Sequence, residues 1–269
     1  MDWFKSFLMF GVVFYLAIAM LLYLFQERMI FYAEPVDVDH RYAFTGVTRE
    51  VWLESSSALL HGIVFSTSQK RRGVVLFFKG NAGNVGGLED IAEIFRELGF
   101  DLLAMDYRGS GKSRGPLSES NLMADADLWF DWAAKAYTGE DIRLVGHSIG
   151  TAFASHVAAK HEVRHIMLLA PMKSGRDMAH RLYPWLPGFL TRYPLRTDLA
   201  LKDITGQVVI YHGTKDRVVP FASGAALRPL LTSNDVFLAI QGAGHNDLPW
   251  HPVVLADIRA RWGTLSKQE

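Results

Sequence analysis

The chain has 269 residues, 49% of them apolar, which is enough for one large core. Its 28 Lys and Arg balance its 28 Asp and Glu, so no basic surplus exists to neutralise phosphates, and a general nucleic-acid binder is excluded. There is no cysteine, which excludes disulfides, thiolate catalysis and cysteine-based zinc sites.

Residues 7–25 form 19 consecutive uncharged, mostly aliphatic or aromatic positions. A helix of that length nearly matches a hydrocarbon core of about 30 Å. Trp3 and Phe4 at one end, and Tyr23, Phe31 and Tyr32 at the other, are aromatic rims suited to the two interfaces. A cleaved signal peptide is the competing reading, but Ala17-Ile18-Ala19, the small-x-small match, lies inside the apolar run. A buried core helix would carry a polar face. We therefore expect a transmembrane anchor over 1–26 and a connector over 27–45. Lys5 before the run and Arg28 and Arg41 after it give no bias in orientation.

Beyond the connector, short apolar runs alternate with helical patterns. Strands are predicted at 47–53, 60–65, 74–78, 102–105, 142–145, 165–169, 208–211 and 236–240. The first two are separated by the serine-rich turn 55–57. Leu88, Ile91, Ala92, Phe95 and Leu98 recur at helical spacing before Gly99. Leu122, Ala126, Trp129 and Ala133 mark a second helix, 151–159 a third, and helical segments lie near 222–231 and 252–262. This alternation predicts an α/β fold with a mostly parallel eight-stranded sheet flanked by helices. Residues 172–200 break the rhythm with Pro184, Pro187, Pro194 and several aromatics. They read either as a short cap after the sixth strand or as a surface loop with a few buried anchors.

The strand at 142–145 runs into Gly146-His147-Ser148-Ile149-Gly150 and then an alanine-rich helix. G-x-S-x-G on a strand–turn–helix is the nucleophile elbow. The turn forces Ser148 into strained backbone angles, and the two glycines remove side chains that would collide across it. Serine needs a base, and the base needs an orienting group. The 208–211 strand runs into His212-Gly213-Thr214-Lys215-Asp216, and the 236–240 strand into Gly242-Ala243-Gly244-His245. Ser148, Asp216 and His245 thus appear in the order Ser, Asp, His, each after a strand. His156, His161, His40, His180 and His251 lie outside such a context, and His147 and His212 read as turn supports. Among acids, Asp247 is too near His245 in sequence and Asp235 precedes its strand. The oxyanion donors are expected to be the main-chain N–H of Ile149 and, from the loop after the third strand, Asn81. Each such donor contributes about 3–4 kcal/mol to the transition state.

Taken together, the elbow, Lys79-Gly80-Asn81-Ala82-Gly83-Asn84, the run from Asp106 to Gly115 (DYRGSGKSRG), His212-Gly213-Thr214-Lys215-Asp216 and Gly244-His245 resemble the Bem46-like α/β-hydrolases and their ABHD13 and ABHD17 relatives. The resemblance covers residues from about 27 onward and implies an α/β-hydrolase domain over 46–269, with 172–200 as a small cap. One departure is Lys79, where the family usually has histidine. Lys79 is a candidate ligand for an anionic substrate group, and a solvated or salt-bridged lysine is the competing reading. Trp185 and Phe189 of the cap are candidate substrate contacts. The implied activity is a membrane-anchored serine hydrolase that cleaves carboxylic esters or thioesters of a lipid or an acylated protein through an acyl-enzyme. A serine peptidase of the same fold and a non-catalytic membrane scaffold are the alternatives. No cofactor or metal is expected, and no H-E-x-x-H pattern exists. Gly109-Ser110-Gly111-Lys112-Ser113 imitates the end of a P-loop, but Asp106 stands where its first glycine is needed. The glycines at 80, 83, 86 and 87 give no G-x-G-x-x-G register for a dinucleotide.

Overall fold

The computed structural model describes residues 2–55 and 57–263. Met1 of the expected anchor, Ser56 of the expected serine turn and residues 264–269 lie outside them. Asp2–Ile30 (α1) is one continuous helix that passes the expected anchor end at 26. It is long and apolar enough to cross a membrane, and its apolar side chains from Trp3 to Phe25 face mostly outward. Phe31, the next residue, is buried against the rings of Tyr107 and Tyr193.

The main sheet has eight strands. In chain order they are Thr48–Ser55 (β1), Ala58–Phe65 (β2), Gly73–Phe78 (β3), Phe100–Met105 (β4), Asp141–His147 (β5), His165–Leu169 (β6), Gln207–Gly213 (β7) and Val236–Ile240 (β8). Their order across the sheet is β8-β7-β6-β5-β3-β4-β2-β1. Only β2 runs antiparallel to its neighbours, β1 and β4. The predicted strands are all present, most of them lengthened at their ends.

β3 and β4 are buried along their whole length, because helices cover both faces of the sheet. Alternate residues serve opposite cores. Val74, Leu76 and Phe78 join Trp129 and Phe153 on one side. Val75 and Phe77 join Phe95 and Trp262 on the other. The first side is covered by Glu119–Ala136, the second by Glu89–Arg96 and Pro252–Gly263. The helical segment expected near 222–231 is two pieces, Phe221–Ala225 and a 3-10 turn at Arg228–Leu230. Pro229 lacks the N–H that a continuous helix would use.

The segment 172–200 is folded into short helical elements. Its elements are Gly175–Leu182, a 3-10 turn at Gly188–Leu190 and Thr197–Ala200. Ser174 caps the first, its Oγ accepting the Asp177 N–H at 3.0 Å.

One pairing has no counterpart in the sequence reading. Tyr32–Ala33 runs parallel to Ala82–Gly83 as a two-stranded ribbon. The chain leaving α1 is thereby tied to the loop after β3.

Candidate active site

Ser148 sits where β5 turns into the helix Gly150–Lys160, with φ of 55°. That left-handed angle costs an L-residue energy, and the neighbours hold it. The Ser148 N–H donates to Leu169 O on β6 at 2.9 Å, and its carbonyl accepts from Thr151 N at 3.1 Å and Thr151 Oγ1 at 2.6 Å. The flanking glycines are required by close approach. A Cβ on Gly146 would lie 2.6 Å from Thr151 Cα, and one on Gly150 only 1.9 Å from Phe78 O.

Asp216 follows β7 and His245 follows β8. His245 Nδ1 donates to Asp216 Oδ2 at 2.7 Å, and Asp216 Oδ1 accepts the N–H groups of Val218 and Val219, each at 2.9 Å. Burial opposes the Asp216 charge, but these donors, His245 foremost, outweigh it and hold the carboxyl below its ordinary value. With Nδ1 engaged, His245 Nε2 remains the free ring nitrogen. No hydrogen bond joins it to Ser148 Oγ among the described residues, a contact that tightens when substrate binds.

Two further histidines enclose this pair. His147 packs its ring 5.0 Å from that of His245. Burial, and secondarily the His245 charge, pushes its pKa down to about 4, so it is neutral near pH 7 and does not repel a protonated His245. His212 is fully buried and donates from Nε2 to Val219 O at 2.9 Å, which fixes the turn that presents Asp216.

Asn81 lies across from the elbow, after β3. Its Nδ2 donates to Ile30 O at 2.7 Å and its carbonyl accepts the Tyr32 N–H at 3.0 Å. Its own N–H and that of Ile149 have no acceptor among the described residues. Both residues line one cavity with Ser148.

That cavity encloses about 420 Å³ and extends from Ser148 toward α1 and the cap. Met178, Leu182, Leu186 and Leu190 form the cap side. Leu22, Gln26, Met29 and Ile30, spaced as one helical face, form the α1 side. None of the described lining residues is acidic or basic.

Three candidate contacts are corrected by this geometry. Lys79 does not line the cavity, nor is it solvated or salt-bridged. It is buried, donating to Gly83 O at 2.8 Å and Ala82 O at 3.2 Å, with Nζ 5.0 Å from the centre of the Tyr107 ring. Burial pushes its pKa down to about 8. Trp185 and Phe189 also lie outside the lining. Trp185 packs edge-on against Tyr15 of α1, and Phe189 is 79% exposed. The cap contributes its other face, because Leu186 and Leu190 turn inward.

The P-loop look-alike is structural. Arg108 forms a two-pronged pair with Asp125, both bonds at 2.7 Å. Ser110 Oγ donates to Gly83 O at 2.6 Å, and Asp106 Oδ1 accepts the Val85 N–H at 2.9 Å. The motif braces the Asn81 loop from behind. What the sequence reading missed is the α1 wall. Its signal was the recurrence of Leu22, Gln26 and Met29 at helical spacing.

Comparison with known proteins agrees with this architecture. Residues 69–200 match the family model described as serine aminopeptidase, S33. Rv2307c of Mycobacterium tuberculosis, an uncharacterized protein, is 28% identical over 82% of this chain and 81% of its own. α/β-Hydrolase domain-containing protein 17C of Xenopus tropicalis is 30% identical over 73% of this chain. The match spans 64% of the 17C protein's own length, less than two thirds. Among solved structures, the Pyrococcus furiosus esterase PF2001 superposes with a TM-score of 0.69 at 15% identity, covering 87% of this chain and 98% of that one. Est1E of Butyrivibrio proteoclasticus, with ferulic acid bound, superposes with 0.65 at 19% identity, covering 79% and 96%. By its fold the chain is an α/β-hydrolase, and in sequence it is similar to the domain-containing 17 proteins.

Proposed function

We propose that the protein is a membrane-anchored serine hydrolase that cleaves carboxylic esters or thioesters carrying an apolar acyl chain. The observation that carries this reading is a single uncharged, largely apolar cavity that contains Ser148 and two unpaired main-chain N–H groups. The acyl carbonyl sits over Ser148 with its oxygen toward the Asn81 and Ile149 N–H groups. His245 Nε2 takes the Ser148 proton as Oγ attacks, and Asp216 orients the ring and stabilises its cation. The tetrahedral oxyanion is held by the two donors. Collapse expels the alcohol or thiol, which is protonated by His245. Water, deprotonated by the same imidazole, then releases the acid.

Acylated protein or lipid is the substrate class. The acyl chain lies between Leu22 and Met29 on one side and Leu186 and Leu190 on the other, where the lining is mostly apolar. An aminopeptidase reading is weaker, because a free amino terminus needs an acid in the pocket and the described lining has none. A non-catalytic scaffold would have no use for a nucleophile held at a strained angle.

Treatment with a fluorophosphonate probe tests the reading. The native chain is expected to be labelled and Ser148→Ala is not. Absence of labelling in a folded native chain would overturn it. Hydrolysis of p-nitrophenyl esters of increasing length is then expected to favour medium and long chains over acetate.

A further inference from the structure

The cap carries an exposed face that the catalytic reading does not use. Residues 182–191 hold no charged side chain, and Arg181 and Arg192 bracket them. Leu182, Trp185 and Phe189 of this tip are 65%, 47% and 79% exposed. Part of its backbone is satisfied by local bonds. The N–H groups of Tyr183, Leu186, Leu190 and Thr191 donate to nearby carbonyls, and Pro184 and Pro187 have none to satisfy. An uncharged apolar surface whose backbone donors are mostly bonded or absent suits hydrocarbon better than water, with the N–H groups of Trp185, Gly188 and Phe189 the open ones among the described residues.

The tip is also locked to α1. Tyr15 OH donates to Trp185 O at 3.3 Å, and the two rings meet edge-on with centres 5.8 Å apart. Gln26 donates from Nε2 to Leu190 O at 2.7 Å and accepts the Arg192 N–H at 2.9 Å. Tyr23 lies under the Arg192 guanidinium, which also pairs with Glu27. This polar and aromatic group around 23–27 is the composition of a headgroup level.

Depth then follows from helix geometry. Tyr15 lies ten residues inside the apolar run ending at Phe25, which is about 15 Å along the axis. A tilt of 40° still leaves about 11 Å. A span displaced to residues 2–21 leaves about 9 Å. In each case α1 cannot cross a bilayer without carrying Trp185 below the headgroups.

We propose that the cap tip, residues 182–191, is immersed in the leaflet that α1 crosses, so that the cavity between α1 and the cap opens onto hydrocarbon. This rests on the membrane-anchor reading. The chain then receives acyl groups sideways from the bilayer, without moving them through water. Arg181 and Arg192 sit at the headgroup plane and set the depth of the tip.

The lack of native cysteine makes a direct test possible. Cysteines are placed singly at Met9 in the apolar run, at Phe189 on the tip and at Lys135 on the far side of the hydrolase domain. Each full-length variant is spin-labelled and reconstituted into phosphatidylcholine nanodiscs. Relaxation by oxygen, which partitions into lipid, is compared with relaxation by an aqueous nickel chelate. The oxygen-to-nickel ratio at 189 is expected to match that at 9 and to stand far above that at 135. A lipid-like ratio at 9 with a water-like ratio at 189 overturns the proposal and leaves the anchor intact. A water-like ratio at 9 overturns the anchor reading and the proposal with it. A cooperative thermal transition in each labelled variant verifies folding before the ratios are compared.

Discussion

The strain at Ser148 and the charge on Asp216 are residue-scale properties, and they make the first predictions. Asp216→Asn keeps the shape of the turn but reverses the polarity at His245 Nδ1, so the ring is held in the wrong tautomer. We expect kcat for ester hydrolysis to fall by about 10⁴, with KM little changed. Stopped or steady-state kinetics on a p-nitrophenyl ester check both numbers. A second prediction concerns Lys79. Its pKa in the folded chain is about 8, below the ordinary 10.5, because burial penalises its charge. Between those values the unfolded chain binds a proton that the folded chain lacks, so this lysine makes stability rise with pH across the window. Below pH 8 both states hold the proton and the dependence vanishes. Lys79→Met removes the effect. The difference in unfolding free energy between native and variant chains should therefore shift by an amount on the order of 3 kcal/mol from pH 7.5 to 10.5. Denaturant titration at several pH values measures it, and taking the difference cancels the tyrosines that titrate in the same range. Ser148, Asp216 and His245 could be proposed from the sequence because each follows a strand, and the fold brings the acid and the base of that proposal together at 2.7 Å. Lys79 was not. A lysine in a loop reads as solvent-facing, and only the fold shows Gly83 O and the Tyr107 ring closing over it.

At the scale of elements, the sheet could be read because parallel strands are buried on both faces and so appear as unbroken apolar runs. The ribbon Tyr32–Ala33 with Ala82–Gly83 could not, since two residues show no period. Nor could the sequence tell which face of the cap turns inward. Trp185 and Phe189 are larger than Leu186 and Leu190, yet the smaller pair fills the cavity and the larger pair points out. The docking of α1 on the cap is a contact between segments more than 160 residues apart, which no local pattern encodes. Gln26 makes the most specific part of it. Gln26→Leu keeps the volume but leaves Leu190 O and the Arg192 N–H without partners, a loss of about 1–3 kcal/mol in docking. The sheet and its two cores do not depend on this contact. Limited proteolysis should therefore cut the variant faster within 183–196, while its main thermal transition moves little. Long-chain esters should lose more in kcat/KM than short ones, since only they reach the α1 wall.

The whole molecule has balanced charge and a strongly uneven distribution of exposed apolar surface. With 28 basic and 28 acidic residues there is no net charge to draw it to anionic lipid. Its exposed apolar side chains run along α1 from Trp3 to Phe25 and continue onto Leu182, Trp185 and Phe189 of the cap. If the membrane holds the protein through this continuous surface, the attraction is hydrophobic, and salt that shortens the screening length to about 3 Å at 1 M should not weaken it. Flotation of membranes after a 1 M salt wash is expected to carry the protein with the lipid, from neutral and anionic vesicles alike. Release into the soluble fraction by salt would show a peripheral, charge-held protein and would remove the physical basis for feeding the cavity from the bilayer. The same distribution bears on catalysis. The hydrolase domain presents Ser148 beneath the cap, on the side where α1 and the cap meet. A chain held in any other way, by a long tether for instance, would leave that side free to face water. A helix whose last turn lines the cavity, whose end holds Asn81 through Ile30 O, and whose exit strand pairs with the Asn81 loop would couple membrane attachment, under the proposed anchoring, to the active site.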